Sequence, residues 1–349
     1  MVRVSVIDPR ESPAWEEFVA TCPEATVFHT AHWARVLVDS YGFAPRYYAL
    51  TDAGGEVQSA LPLMLVQSWL TGRRLVGLPF SDACPPLATE AEGLHLLLAT
   101  ATRDTERQHL RYVEVRGGEP SLLASRRFVP RPGLFVQHVL RLDRRLDELM
   151  ARVHPSTRGG MRKAQRLGLR VHQAGPEGLP AFYELYCLTR RRHGLVPAPY
   201  RFFQAMSVHL LEKGLGTLLF VEFDGEALAC NLLLWWRTTM VYKFNVSRPD
   251  ALQARPNNLL MWATIELAKE MGMSCLDLGR SDADQEGLRR FKSAWGAEEH
   301  PLTYFYFPDP EARSRGTARW VGRLLGTLGR SSPDWAHRRV WPRFYRHLG

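Results

Sequence analysis

Cysteine is scarce in this chain and unpaired. Its five residues, Cys22, Cys84, Cys187, Cys230 and Cys275, are scattered without a repeated spacing. An odd, dispersed set argues against a disulfide framework and fits a reducing compartment. No His, Cys, Asp or Glu cluster has metal-ligand spacing, so no metal is expected. No apolar run approaches the ~20 residues that span a bilayer. The opening residues 1–9 run straight into a strand pattern and lack the long apolar core of a signal peptide. Together these absences predict a cytoplasmic location. No short-period repeat is visible, which excludes solenoid and propeller architectures. Acidic residues are scarce in two places. None lies between His154 and His172, and from residue 311 to the end nine arginines face only Glu311 and Asp334, a net charge of +7.

What is present points to a globular protein of more than one core. A chain of 349 residues exceeds one ordinary core and suits two domains of usual size. Its 45% hydrophobic and 23% charged residues place it with soluble globular proteins. The first half reads as a strand at residues 3–7, a helix opened by Ser12 as N-cap with Pro13 behind it, and a helix over residues 30–41 stopped by Gly42. Two strands joined by a turn at Asp52 follow, then a long helix over 91–109 and a strand over 112–115. The second half repeats the theme. Helix covers 146–167, interrupted near Pro155, a strand lies at 169–172, and two helices lie over 179–193 and 200–213. A hairpin turns at Asp224-Gly225 and a third strand covers 240–246. A helix over 258–271 closes at Gly272, and strands lie at 275–278 and 302–307. This order predicts an α+β fold of two domains, residues 1–143 and 144–310, followed by a basic aromatic tail, 311–349.

The most informative stretch is Leu276-Asp277-Leu278-Gly279-Arg280-Ser281, followed by Gly287-Leu288-Arg289-Arg290-Phe291-Lys292-Ser293-Ala294-Trp295-Gly296. A short apolar strand ends in a Gly-Arg-Ser turn, and two cations, Arg280 and Lys292, come just past its end. Open α/β sheets place ligands at such strand ends. These residues resemble the C-terminal signature of the FemAB-like transferases, which build aminoacyl bridges on peptidoglycan precursors. Further similarity, in sequence order, lies in Phe28–Trp33, Leu78–Asp82, His154–Arg158 with Arg162–Ala164, and Pro256–Trp262. The resemblance covers about residues 1–308 and implies two GNAT-like domains packed side by side. Members with a tRNA-gripping arm carry a long charged helical insertion in the second domain, which this sequence lacks.

The resemblance implies that Phe291 and Lys292 lie where donor and acceptor meet, with Lys292 as the cation facing the developing oxyanion. Arg280 is a candidate for phosphate or carboxylate or, equally, for an ion pair with Asp282 or Asp284, and Tyr242 and Lys243, on the neighbouring strand, are expected to line the same cleft. Asp277 is either a base or, the favoured reading, an ion-pair partner. His29 and His32 flank a helix start and read as a cap or surface pair. Arg158, Arg162 and Arg166 recur at helical spacing and form one basic face suited to phosphates of a nucleotide-linked acceptor or a tRNA end. The nearest matches to a CoA-pyrophosphate loop, Gln165–Arg170 and Arg191–Val196, both end in a side chain where the turn wants Gly or Ala.

The expected activity is amide formation. An aminoacyl group, borne on tRNA, or another acyl group moves to an amine on a cell-wall or surface-glycan precursor. No cofactor is expected, the donor being a co-substrate: aminoacyl-tRNA or acyl-CoA. The acceptor would be a nucleotide- or lipid-linked cell-wall precursor. Two rivals remain open: an acyl-CoA-dependent N-acyltransferase on a small amine or amino sugar, and a non-catalytic RNA- or membrane-binding protein. The tail, with Trp320, Leu324, Leu328, Trp335 and Trp341 among its arginines, suits either an anionic membrane surface at the inner face of the membrane or packing on the body.

Overall fold

The computed structural model describes residues 2–88, 90–123, 127–310 and 340–348. They form two compact units. The first holds the described residues up to 135, with 301–310 and 346–348, and the second holds Val136–His300 with 340–345.

The first unit runs β1 (Arg3–Ile7), α1 (Pro13–Thr21), α2 (Ala31–Tyr41), β2 (Ala44–Thr51), β3 (Val57–Ser68), β4 (Gly72–Val76), β5 (Leu87–Ala88), α3 (Ala91–Arg107), β6 (Val113–Arg116), α4 (Pro120–Leu123) and the start of β7 (Val129–Arg141). Ser12 caps α1 by accepting the Trp15 amide at 3.3 Å, with Pro13 in the first helical turn. Thr30 caps α2, which ends on left-handed Gly42. Strands β1, β2, β3 and β4 pair antiparallel in that order, and β4 then pairs parallel with β6. Helix α3 buries Leu94, Leu97, Leu98 and Ala101 against Tyr48, Leu61, Leu63 and Val113.

The second unit runs α5 (Leu146–Arg152), α6 (Pro155–Arg166), β8 (Arg170–Ala174), α7 (Leu179–Arg192), α8 (Tyr200–Met206), β9 (Gly216–Phe223), β10 (Glu226–Trp236), β11 (Thr239–Ser247), α9 (Pro256–Glu270), β12 (Cys275–Asp282), α10 (Glu286–Ser293) and the start of β13 (Glu298–Phe307). Strands β8 to β11 are antiparallel, β11 and β12 are parallel, and β7 flanks β12. One face of the sheet carries α6 and α9 over Leu233, Met240 and Leu276. The other carries α7 and α8, whose Phe182, Tyr186 and Phe203 gather around Phe244 of β11.

Each unit therefore has the α+β, GNAT-like order expected from the sequence: an antiparallel meander, a helix, then a parallel strand. Several things differ from the sequence reading. The units divide at 135/136 and not near Leu142, and the second half of β13 belongs to the first unit, where Tyr304–Phe307 pair with β6. Strand β7 was not foreseen, because Pro130, Pro132 and Gly133 at its start break the strand pattern. No described helix is long and apolar enough to cross a membrane.

Candidate functional site

In the second unit, β11 and β12 stay in parallel register for three pairs only: Thr239–Cys275, Met240–Leu276 and Val241–Asp277. Yet β11 continues to Ser247 and β12 to Asp282. Past Val241 and Asp277 the two strands part, and backbone groups there are no longer committed to each other. A bulge sharpens the parting. Leu232 opposes Phe244 and Leu233 opposes Tyr242, so Lys243 is the extra residue. Bulges re-aim side chains in this way. Here the bulge turns both Tyr242 and Asn245 toward the α9 face.

Beyond the parting, β12 is held by its own neighbours. Gly279 is left-handed at φ 70, a conformation that strains any residue with a Cβ. The Asp277 carboxylate takes the Gly279 amide at 2.8 Å and the Gln137 side-chain amide at 2.8 Å, a structural role made by neutral amides where an ion pair was expected. Lys292 of α10 is 3% exposed. Its ammonium donates to the carbonyl oxygens of Gly279 at 2.8 Å and Arg280 at 3.1 Å. The lysine expected to face substrate thus lies beneath the Gly-Arg turn, with two of its three hydrogens on backbone. Phe291 is half-buried and meets Trp295 edge-on at 6.4 Å, and Arg280 and Lys243 are half-buried. Behind Lys292, buried His138 approaches Glu299 at 3.2 Å, and Arg289 holds Glu299 through two bonds of 2.8 Å. Burial, and then the Lys292 charge, keep the His138 ring below its ordinary pKa.

Two buried hydroxyls flank the parting without partners among the described residues. They are Tyr242 Oη, on a residue 8% exposed, and Ser281 Oγ, on a residue 2% exposed. Burial raises the Tyr242 pKa, so the phenol keeps its proton. A third group comes from a chain of amides that sequence reading missed. Thr264 gives its hydroxyl hydrogen to the Leu260 carbonyl at 2.9 Å, so its oxygen must accept from Asn231 Nδ2 at 2.9 Å. Asn231 Oδ1 then accepts from Asn245 Nδ2 at 2.9 Å, and the same nitrogen reaches Asn257 Oδ1 at 3.3 Å. This directionality fixes the amide of Asn245. Its nitrogen faces the network, and its carbonyl oxygen is turned away from it. The available signal was a lone Asn in each of two apolar strands, which pairing of Asn231 with Asn245 brings together.

Helix α6 buries Thr157, Met161 and Ala164, and its Gly160 sits so close to α9 that a Cβ would lie 2.9 Å from Asn258 Nδ2. On the outer side Arg162 and Arg166 are exposed and Arg158 is half-buried. Arg162, Arg166, Gly159 and Gln165 line one surface depression. The basic face foreseen from the spacing is therefore solvent-facing. The two stretches compared with a pyrophosphate loop, 165–170 and 191–196, follow the C-terminal ends of α6 and α7. Helix C-termini present carbonyls to an anion, not amides.

The first unit has the corresponding parting, but its own chain fills it. Parallel β4 and β6 pair only at Leu75–Val113 and Val76–Glu114. Residues 77–82 then fold over, with Leu78 at φ 40 and Phe80 at φ 64, both strained for side-chain-bearing residues. Arg116 bonds Glu114 at 2.6 Å and the Ser81 carbonyl at 3.0 Å, and Tyr304 donates to the Asp82 carbonyl at 2.7 Å. His29 is fully buried, contrary to the surface alternative. Its Nδ1 accepts the Thr26 amide at 3.0 Å and its Nε2 meets the Pro85 carbonyl at 2.9 Å. His32 is half-buried.

Comparison with known proteins fits this division. Residues 151–300 match the model of the acetyltransferase (GNAT) domain family. The structure is similar to that of FemX, with 17% identity and a TM-score of 0.71 over 93% of this chain and 100% of that one. It is also similar to L-PGS from Bacillus licheniformis, at 13% identity and a TM-score of 0.57, covering 85% and 92% of the two chains. A tandem GNAT protein from the clavulanic acid biosynthesis pathway matches at 15% identity and a TM-score of 0.55, covering 88% and 98%. A search of curated proteins by sequence finds no match.

Proposed function

With a FemX-like tandem-GNAT fold and a GNAT acyltransferase domain in residues 151–300 as its premise, we propose that this acyltransferase forms an amide at the parting of β11 and β12. It moves an aminoacyl group from tRNA to an amine on a cell-wall or surface-glycan precursor carried by a nucleotide or a lipid. The observation that carries this reading is the contrast between the units. The second keeps unpartnered Tyr242 and Ser281 hydroxyls where its strands separate, while the first fills the corresponding place with Arg116 and residues 77–82.

The acceptor amine attacks the ester carbonyl, the carbon–oxygen bond to the tRNA ribose breaks, and the proton lost by the amine leaves with the ribose hydroxyl. An aminoacyl ester is already activated, so positioning and electrostatics supply most of what remains. The neutral Tyr242 phenol donates to the carbonyl oxygen as charge develops. Asn245 offers its fixed carbonyl oxygen to an amine N–H. Lys292 acts from below by clamping Gly279 and Arg280 and lending positive potential, with Phe291 packed beside it. Arg280 and Lys243 take carboxylate or phosphate at the mouth, and Arg158, Arg162 and Arg166 hold phosphates of the acceptor or of the tRNA end. The turn from β11 to α9, residues 248–255, contains no glycine. That favours an aminoacyl ester over the pyrophosphate of CoA, which needs close backbone approach.

Label transfer tests the reading. The purified protein, given tRNA charged with a radiolabelled amino acid and a nucleotide-linked muropeptide, is expected to yield labelled muropeptide. Product from acyl-CoA alone would make the protein an N-acyltransferase of another kind. Product from neither donor would favour a binding protein.

A further inference from the structure

Trp69 is 79% exposed at the turn between β3 and β4 in the first unit. Surface hydrophobic residues are ordinary when scattered, but this indole stands among cations. Arg73 follows it on β4, Arg107 ends α3, and His109 and Arg111 lie on the turn from α3 to β6, all exposed. The two turns are one rigid edge. Arg111 donates to the Thr71 carbonyl at 2.9 Å, its amide bonds the Arg73 carbonyl at 2.8 Å, and Arg73 reaches the Gln108 carbonyl at 3.4 Å. The acidic residues nearest in sequence are engaged elsewhere: Glu106 pairs with Arg127, Asp104 accepts from Tyr48, and Glu114 pairs with Arg116.

The end of the chain braces the same turn. His347 Nδ1 meets Ser68 Oγ at 2.8 Å, and its carbonyl accepts from Thr71 Oγ1 and Arg74 Nη2, each at 3.2 Å. Its ring touches Trp69 edge-on at 5.4 Å. Ser68 Oγ in turn accepts the amides of Leu70 and Thr71 at 3.2 and 2.8 Å. A turn held this firmly presents its indole outward at little entropic cost on binding.

We propose that this edge, Trp69 with Arg73, Arg107 and Arg111, docks the protein on an anionic lipid surface. An indole at the level of the headgroups, flanked by arginines, is the arrangement favoured at membrane interfaces. An indole exposed at a hairpin tip suits insertion between headgroups, whereas single-stranded nucleic acid is held in grooves with stacking platforms. The inference is independent of the acyl-transfer reading and survives or fails without it.

Flotation of the full chain with vesicles tests it. The protein is expected to float with vesicles of phosphatidylcholine and phosphatidylglycerol, and not with phosphatidylcholine alone. Trp69→Ala should weaken that binding severalfold. The Arg73→Gln/Arg107→Gln pair should weaken it by roughly thirtyfold, since each arginine near an anionic surface is worth about 1 kcal/mol. Trp69 and Arg107 are exposed, and melting curves matched to the wild type would show that the fold is retained. Wild-type protein that ignores both vesicles would overturn the proposal, as would undiminished binding by both variants. Loss of binding to uncharged tRNA in the arginine variant, without any vesicle binding by the wild type, would assign the edge to nucleic acid instead.

Discussion

At the scale of single residues, burial decides what the ionisable groups can do. His29 is the plainest case, because burial, outweighing bonds to Pro85 and Thr26, holds its pKa at about 4 against an ordinary value of 6.5. The unfolded chain therefore binds a proton at pH values where the folded chain does not. Stability from His29 is complete above pH 6.5 and falls as the pH drops toward 4, by about 3 kcal/mol in all. His29→Gln should remove this acid dependence, and urea midpoints measured from pH 7 to pH 4 check it; an unchanged slope would contradict it. Lys292 is buried by its bonds to two carbonyls, so Lys292→Met should do two things. It should cost about 1–3 kcal/mol, because buried acceptors lose their donor, and lower turnover by roughly 10²-fold or more, the size of one lost charge-stabilising group. Turnover unchanged at matched fraction folded would separate the lysine from the chemistry. Its place next to Phe291 was legible in the signature, but its direction was not. Nothing local says that the Lys292 ammonium will turn under the carbonyls of Gly279 and Arg280, on the strand before its helix.

At the scale of elements, the sequence was most legible where periodicity and punctuation agree. Met240–Val246 and Cys275–Leu278 read as strands from their apolar residues, and Gly272 marked the end of α9. Elements shaped by distant partners were not readable. Strand β7 hides behind two prolines and a glycine, and the Asn231–Asn245 pair depends on a register that no local pattern encodes. The parting of β11 from β12 also depends on a bulge, which a strand propensity does not reveal. Helix α6 lies between these cases: its i, i+4 spacing foretold a shared face, and the face is outward. Arg162→Gln with Arg166→Gln should weaken binding of tRNA and reduce the salt slope of log affinity by about one to two, since fewer counterions are released. Affinity titrations at several salt concentrations measure this directly, and an unchanged slope would reduce the face to a solvated helix surface.

At the scale of the whole molecule, the chain repeats one architecture, and the two copies differ where their parallel strands part. Length and the order of elements foretold two α+β units, but not that residues 301–307 return to the first, because that depends on pairing with β6. The basic tail foreseen over 311–349 falls largely at 311–339, outside the described residues, and its final residues pack on the first unit through His347. On the function proposed above, the acyl donor binds in the second unit, where the strands part. Hydrogen exchange tests it most directly, read by mass spectrometry on the full chain with and without a stable, amide-linked aminoacyl-RNA hairpin. Protection is expected in residues 242–247 and 278–282, with no change in 77–82 and 115–118. Protection confined to the first unit's stretch, or none in the second, would contradict it.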